Sequence, residues 1–439
     1  MERAIASVTE DHADGQMREQ SLENSSSGNR LTCWTARVVT FLSAVRISIA
    51  SAPIGVLGAL AAAPMWLPSL RHYRGAIVLS IGLLVATAWG AALTVRESPF
   101  NGGTSTNNLL ENSFLLILIL TGSGVLMWSR EHLSDRSIGV AVGLGFLLTN
   151  ILNGTASHSV NPWKFGLAIP VSIIALALVS DSRRWQPTFA ALTLLALANV
   201  VLDSRAAFAI CALAALLFMA QRHWSVRTGA SIRARAVSLL LAALAAAAAL
   251  YQVASHLLMA GYLGEEAQQR SIMQEELSGS MIVGGRPEMA ATWALMQHRP
   301  AGFGSGAIPS TEDVMVAKSG MWGINYQPDN GYVENYMFGG GFELHSVIGN
   351  MWVYFGVVGL LLSLFMAGLL IHALFIRLAT GTASGLVIFL TALSLWNILF
   401  GPLWGSSRIL AITLGLALLR KGQLNSAREL VVDFARPRK

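Results

Sequence analysis

The sequence predicts an all-α polytopic membrane bundle. Three observations predict it: the scarcity of charge, the grouping of apolar residues into long blocks, and the alternation of arginines between those blocks. Charged residues fill 12% of the 439 positions and hydrophobic ones 54%, with a mean hydropathy of +0.55. Soluble domains carry roughly twice that charge density, and a chain this apolar cannot cover its core with polar surface. Blocks such as SIGVAVGLGFLLTNIL and AVSLLLAALAAAAALYQVASHLL lack the polar stripe of a helix on a soluble protein. Their length suits the roughly 17–25 apolar residues that a bilayer core asks of a spanning helix.

Taken in order, residues 1–35 read as a disordered cytoplasmic tail, polar and poor in aromatics. The tail has no short apolar run with a small-residue cleavage site, so the chain is expected to insert through its own first helices. An N-terminal transmembrane bundle is expected over 36–257. It opens with a hairpin, Ala36–Ser51 and Pro53–Leu67, that counts as two crossings or one. Gly75–Val95, Ser113–Trp128, Ser137–Leu152, Phe165–Ser180, Gln186–Leu202, Ala206–Ala220 and Ala236–Leu257 follow. A large, partly helical extracytoplasmic loop is expected over 258–345. Transmembrane helices Ser346–Phe375, Ser384–Phe400 and Ser406–Leu419 make up a region 346–420, and 421–439 is a cytoplasmic tail. The total is about 12 spans. Arg71, Arg74, Arg130, Arg136, Arg183, Arg184, Arg222, Arg227, Arg233, Arg235, Arg377, Arg420 and Lys421 fall in alternate loops, and positive loops stay in the cytoplasm. The Met259–Leu344 segment then faces outward, and its ten acids against four Lys or Arg fit that side. No internal repeat or matched pair of broken helices marks an inverted-repeat transporter.

Exceptions to the positive-inside pattern are the candidates for function. Lys164 in NPWKFG, Arg205 in DSRAAF, Arg286 in GGRPEMAATW and Arg408 in GPLWGSSR all fall at outward positions. Each alone could simply snorkel to lipid phosphates. Several together on one side suit a lipid phosphate or diphosphate, which the guanidinium fork matches. Asp203 and Ser204 are placed to cap the helix that Arg205 opens, and an Asp203–Arg205 pair would make that arginine structural. Arg286 precedes Pro287 at a helix N-terminus, a place that favours anions; a solvated loop arginine fits the spacing equally. Met289, Trp293 and Met296 fall near helical spacing, as a face that packs down, and GFGSG then reads as a flexible turn. His345 in GFELHSVIGN stands where the loop meets a long apolar helix. A neutral imidazole can take a proton from a sugar hydroxyl, although a lone interfacial histidine is more often a polar cap.

Other chemistries find no support. GFGSG is not a serine nucleophile elbow. No Cys or His spacing suits zinc, no acidic cluster demands a divalent metal, and no phosphate loop or dinucleotide fingerprint is present, so no cofactor is expected. Two cysteines, Cys33 and Cys211, make no disulfide framework. The basic balance comes from membrane-flanking arginines, which attract acidic lipids and need no nucleic acid.

Three segments come in a telling order. Ser204-Arg205 with two small residues follows a mid-chain helix; Arg286, Trp293 and then HisArgPro-x-GlyPheGly (His298–Gly304) lie in the outer loop; His345 opens the next helix, with GlyValValGlyLeu (Gly356–Leu360) behind it. From about Asn161 to Leu362 the chain resembles the superfamily of O-antigen ligases and Wzy-type polymerases, bacterial membrane glycosyltransferases. One departure is Ser346, where many relatives have asparagine. The resemblance implies a glycan donor on a polyprenyl diphosphate and a glycan or lipid acceptor. It also implies an active site on the outer face of the cytoplasmic membrane and catalysis without a metal. Carried over, it makes His345 the general base and gives Arg205 and Arg286 the diphosphate; Lys164 and Arg408 are substrate-binding candidates from topology only. Ligase and polymerase differ only in the acceptor. A transporter or flippase of lipid-linked sugar is the alternative, in which the same cations guide the headgroup.

Overall fold

The computed structural model describes residues 30–49, 52–157, 159–182, 184–225, 231–262, 264–279 and 284–422. Arg183, Arg227, most of the expected N-terminal tail and the C-terminal tail beyond 422 lie outside the described residues. Among the described residues the chain is all-helical, with two two-stranded β-ladders of two residues per strand. Helix α1 covers 30–44, so helix begins inside the stretch expected to be tail. A short antiparallel turn, Ser48–Ile49 with Ala52–Pro53, leads into α2 (Ile54–Ala61) and α3 (Ala63–Trp66), which continues as a 3-10 turn to His72. The expected helix over Pro53–Leu67 is thus broken, with a 62° bend between the two halves. Pro64 and Pro68 supply no N–H to an unbroken ladder.

The remaining helices are α4 (Ala76–Glu97), α5 (Thr106–His132), α6 (Asp135–Leu152), α7 (Ala168–Val179, after a π-turn Trp163–Leu167), α8 (Gln186–Val201), α9 (Arg205–Ser225) and α10 (Ile232–Met259). In the long connection lie α11 (Glu265–Ser278), α12 (Pro287–His298) and α13 (Thr311–Trp322); α14 (Val347–Thr380), α15 (Gly385–Phe400) and α16 (Leu403–Ala417) follow. Serine starts many of them: Ser105, Ser134, Ser231, Ser310, Ser346 and Ser384 each accept a backbone N–H of the first turn, the N-cap role that short hydroxyl side chains fill best. Among the described residues, α4, α5, α6, α9, α10 and α14 are long and apolar enough to cross a membrane, and the bent α2–α3 pair makes a seventh if it is one span. Helices α7, α8, α15 and α16 are apolar but shorter. Small residues let them approach: a Cβ on Gly143 of α6 would sit 2.5 Å from Ile174 of α7, and one on Gly415 of α16 would sit 2.5 Å from Leu126 of α5.

Residues gather into two ends. At one, Tyr73 bridges Arg420. Arg130 donates to the carbonyls of Gly415 and Leu418, and Arg377 to that of Ala417, satisfying carbonyls that the end of α16 leaves open. At the other end the long connection folds down onto α4 and α5. Gly103–Thr104 pairs with Ala307–Ile308. Arg299 meets Glu97, Asn101 and Asp313, while Asn108 and Asn112 donate to the carbonyls of Gly340 and Ser305. Asp313 also closes a capping box with Ser310.

Two local expectations change. GFGSG is a packed corner, not a loose turn: Phe303 and Ser305 are fully buried, and a Cβ on Gly304 would lie 2.4 Å from the backbone of Thr94. On α12, Met289 and Trp293 are 44% and 63% exposed, so they do not form the packed face. Pro287, Glu288, Ala291 and Leu295 do, because α13 lies against that side so closely that a Cβ on its Gly320 would be 2.6 Å from the Ala290 carbonyl.

Candidate functional site

At the loop end the chain turns sharply before α14. His345 sits in that turn with φ +48, a left-handed backbone that few side chains adopt. Ser346 then resumes extended geometry and caps the helix. The turn throws the imidazole toward a second short element, the π-turn Val333–Met337. Tyr332 and Tyr336 stand four residues apart across it and stack, with ring centroids 5.1 Å apart. The Tyr336 hydroxyl is hydrogen-bonded to His345 Nε2 at 3.0 Å, and Tyr332 donates to the Glu288 carboxylate. Glu288 lies in the first turn of α12, with its other oxygen buried and without a hydrogen-bond partner among the described residues. Immediately before it, Arg286 lies over the ring of Phe400 at 5.9 Å.

The electrostatics follow from burial and from these two charges. Burial pushes the His345 imidazole below its ordinary value; Glu288 opposes that shift and Arg286 adds to it. Burial raises the phenols of Tyr332 and Tyr336, and the hydrogen bond to Glu288 reinforces the first. Burial thus favours the neutral form of His345, whose Nδ1 is buried and without a partner among the described residues. Glu343, two residues earlier, is pushed up to about 7, mainly by burial, with a backbone hydrogen bond from His345 opposing. Its Oε1 has no partner among the described residues either. A cavity of 260 Å³ opens on the far side of Tyr336, toward α5, α14 and α16. Among the described residues, no three His, Cys, Asp or Glu side chains are placed to share a metal ion.

Of the five residues singled out from the sequence, His345 and Arg286 come together. Arg205 pairs instead with Asp203 at 3.5 Å, just where Asp203 takes φ +49 to start α9. Lys164 is exposed at the π-turn before α7 and lies over its neighbour Phe165. Arg408 sits on α16 at the same end as His345, over the ring of Phe146 at 4.3 Å. One of its terminal nitrogens donates to the Ala44 carbonyl, and its Nε is buried without a partner among the described residues. Its neighbour in charge is Arg46, which stacks on Trp404 at 3.9 Å and donates to that residue's carbonyl.

Sequence reasoning missed Glu288, Tyr332, Tyr336 and Arg46. Two signals could have found three of them: tyrosines spaced i, i+4 in GYVENYM just before the histidine, and Arg46 well inside the first apolar hairpin. Compared with known proteins, the chain matches no family model and no curated sequence.

Proposed function

We propose that the protein is a membrane glycosyltransferase that moves a glycan from a polyprenyl diphosphate to an acceptor hydroxyl, in the manner of the O-antigen ligases and Wzy-type polymerases it resembles. The observation that carries this reading is a partly buried His345, hydrogen-bonded to Tyr336 and beside Arg286, at the end of an apolar bundle. A neutral imidazole can take the acceptor's proton. A guanidinium at a helix N-terminus can receive the negative charge that builds on a departing diphosphate. The acceptor oxygen bonds to the anomeric carbon, the bond from that carbon to the diphosphate breaks, and the electron pair leaves with the phosphate oxygens. Glu288, close in charge to His345, stabilises the imidazolium that forms.

The same reading sets the chain in the bacterial cytoplasmic membrane. Its bent first hairpin and short apolar helices complete about 12 crossings, and the end that carries His345 faces outward. Arg205 enters through the resemblance alone, since its partner in the structure is Asp203.

Purified protein is incubated with a polyprenyl-diphosphate oligosaccharide and an acceptor glycan or lipid, and transfer is followed by mass shift. Transfer is expected with and without EDTA. His345→Ala and His345→Gln should each lower it by about 100-fold or more, and Arg286→Lys by at least about tenfold, since a point charge replaces a fork. Wild-type transfer in His345→Gln would remove the general base from this account. A transporter of lipid-linked sugar is the second reading, favoured by Arg46 and Arg408 lying within the bundle; it predicts donor that crosses proteoliposomes chemically unchanged.

A further inference from the structure

We infer that the cavity behind Tyr336 holds one sugar ring of the acceptor, and that Tyr336 hands the proton of the attacking hydroxyl to His345. This rests on the reading of His345 as the base. At 260 Å³ the cavity falls just below the roughly 300–1,000 Å³ of sites for drug-sized ligands, room for a ring and not for a chain of them. Its lining suits a neutral sugar: the carboxyls of Glu111 and Glu343, the amides of Asn108 and Asn112, and the aromatic side chains of Tyr336 and Trp404. Carboxyl and amide groups exchange hydrogen bonds with hydroxyls, and a flat ring covers the C–H face of a sugar.

Two details sharpen the choice of ligand. Glu343 Oε1 is buried without a partner among the described residues, and a ligand hydroxyl would give it one. Asn108 and Asn112 are fixed by bonds of 2.8 Å to the Gly340 and Ser305 carbonyls, which sets where their side-chain oxygens can receive a hydroxyl. No lysine or arginine lines the cavity while two carboxyls do, so a phosphate is disfavoured there. The diphosphate belongs across Tyr336, at Arg286.

Tyr336 joins the two compartments. It lines the cavity, and its hydroxyl lies 3.0 Å from His345 Nε2. With Nε2 as acceptor the step balances. As the sugar oxygen bonds to the anomeric carbon, its proton passes to Tyr336 Oη, and the proton already on Oη passes to Nε2. The tyrosine ends as it began, and the imidazolium stands beside Glu288.

The test uses the full chain in detergent, with the same donor and acceptor and with neutral methyl glycosides as binding probes. Tyr336→Phe should lower kcat by about tenfold or more and leave the acceptor KM unchanged. Gly340 lines the cavity and a Cβ on it meets nothing within 4 Å, so Gly340→Phe adds a ring to that wall without a clash. Gly340→Phe and Glu343→Leu should each raise the acceptor KM by about tenfold and abolish saturation transfer to the methyl glycosides, with donor binding intact. Acceptor KM unmoved in both variants overturns the sugar site. Wild-type kcat in Tyr336→Phe overturns the relay. Weakened donor binding in Gly340→Phe would give the cavity to the donor's sugar and overturn the acceptor assignment. If the wild type binds methyl glycosides, Gly340→Phe does not, and no glycan is ever transferred, the sugar site stands while the relay and the glycosyltransferase reading fall.

Discussion

His345 and Glu343 are two residues apart, and burial moves them in opposite directions. The imidazole goes below its ordinary value of 6.5 and the carboxyl rises from 4.5 to about 7. A base must be deprotonated to act, so transfer should rise with pH along a limb that lies below the ordinary imidazole value. A sugar that closes over Glu343 removes water from it and favours the neutral acid, so acceptor binding should weaken as pH rises through about 7. The expected pH profile of transfer is a narrow bell, and Glu343→Gln should delete its alkaline limb alone; an alkaline limb that persists in this variant would exclude Glu343 as its source. Stability carries the same signs. The depressed histidine leaves the fold weaker below its unfolded value, with stability rising toward about 6.5 and level above. The raised carboxyl makes stability fall between about 4.5 and 7. At this scale His345 and Arg286 were legible because each stands in a short motif at a helix start. Tyr332 and Tyr336 were not, because only a π-turn of the loop brings them to the histidine, and nothing in composition announces a π-turn. Arg46 was hidden by its setting, an arginine inside a block read for its apolar length.

Among the elements, α14 shows how a helix and a distant loop specify each other. At Gly356 the helix takes φ 60 and ψ −151, which frees the carbonyl of Val353. The corner from Pro300 to Ser305 uses that break: Phe303 and Gly304 both donate to Val353 at 2.8 and 3.1 Å, and Trp352 donates to the Pro300 carbonyl. A Cβ on Gly356 would meet the Ala301 carbonyl at 2.5 Å and would force a side chain into a left-handed conformation. Gly356→Ala should therefore cost about 2 kcal/mol or more, read as a lower Tm in detergent and as faster proteolysis of the 284–345 connection. Unchanged Tm and protection would mean that α14 can straighten without the corner. The apolar blocks made the long helices legible, but the break at Gly356 was read only as part of a motif. The exposed Met289 and Trp293 were misjudged for a related reason: periodicity reveals an apolar stripe without saying which neighbour will cover it, and α13 covers the opposite side of α12.

Across the whole molecule, the two ends differ in their balance of charge. Arg71, Arg74, Arg130, Arg377, Arg420 and Lys421 cluster where α16 finishes, with Glu131 among them, whereas at the end that carries the loop and His345 the acids Glu97, Glu111, Glu312, Asp313, Glu334 and Glu343 stand among Arg286, Arg299 and Lys318. The alternation of arginine along the sequence made this difference legible before any helix was placed. By length and composition six of the described helices qualify as crossings, or seven if α2–α3 is one span, while α7, α8, α15 and α16 are apolar but shorter. If positive loops stay in the cytoplasm, the His345 end faces outward, and an impermeant thiol reagent can decide it. Asp313 is a poor place to ask, since it is buried against Arg299 and caps α13. Its neighbour Glu312 has a side chain 73% exposed, and Arg71 is exposed at the opposite end. The background should be Cys33→Ser and Cys211→Ala, which keeps a hydroxyl where Cys33 bonds the His132 carbonyl and a small apolar group where Cys211 is buried. In intact cells Glu312→Cys should be labelled and Arg71→Cys should react only after permeabilisation. Labelling of Arg71→Cys alone would turn the protein over, placing His345 on the cytoplasmic face and removing the outward acceptor from the proposed reaction; labelling of both would place the two ends on one side and break the alternation on which the crossings rest.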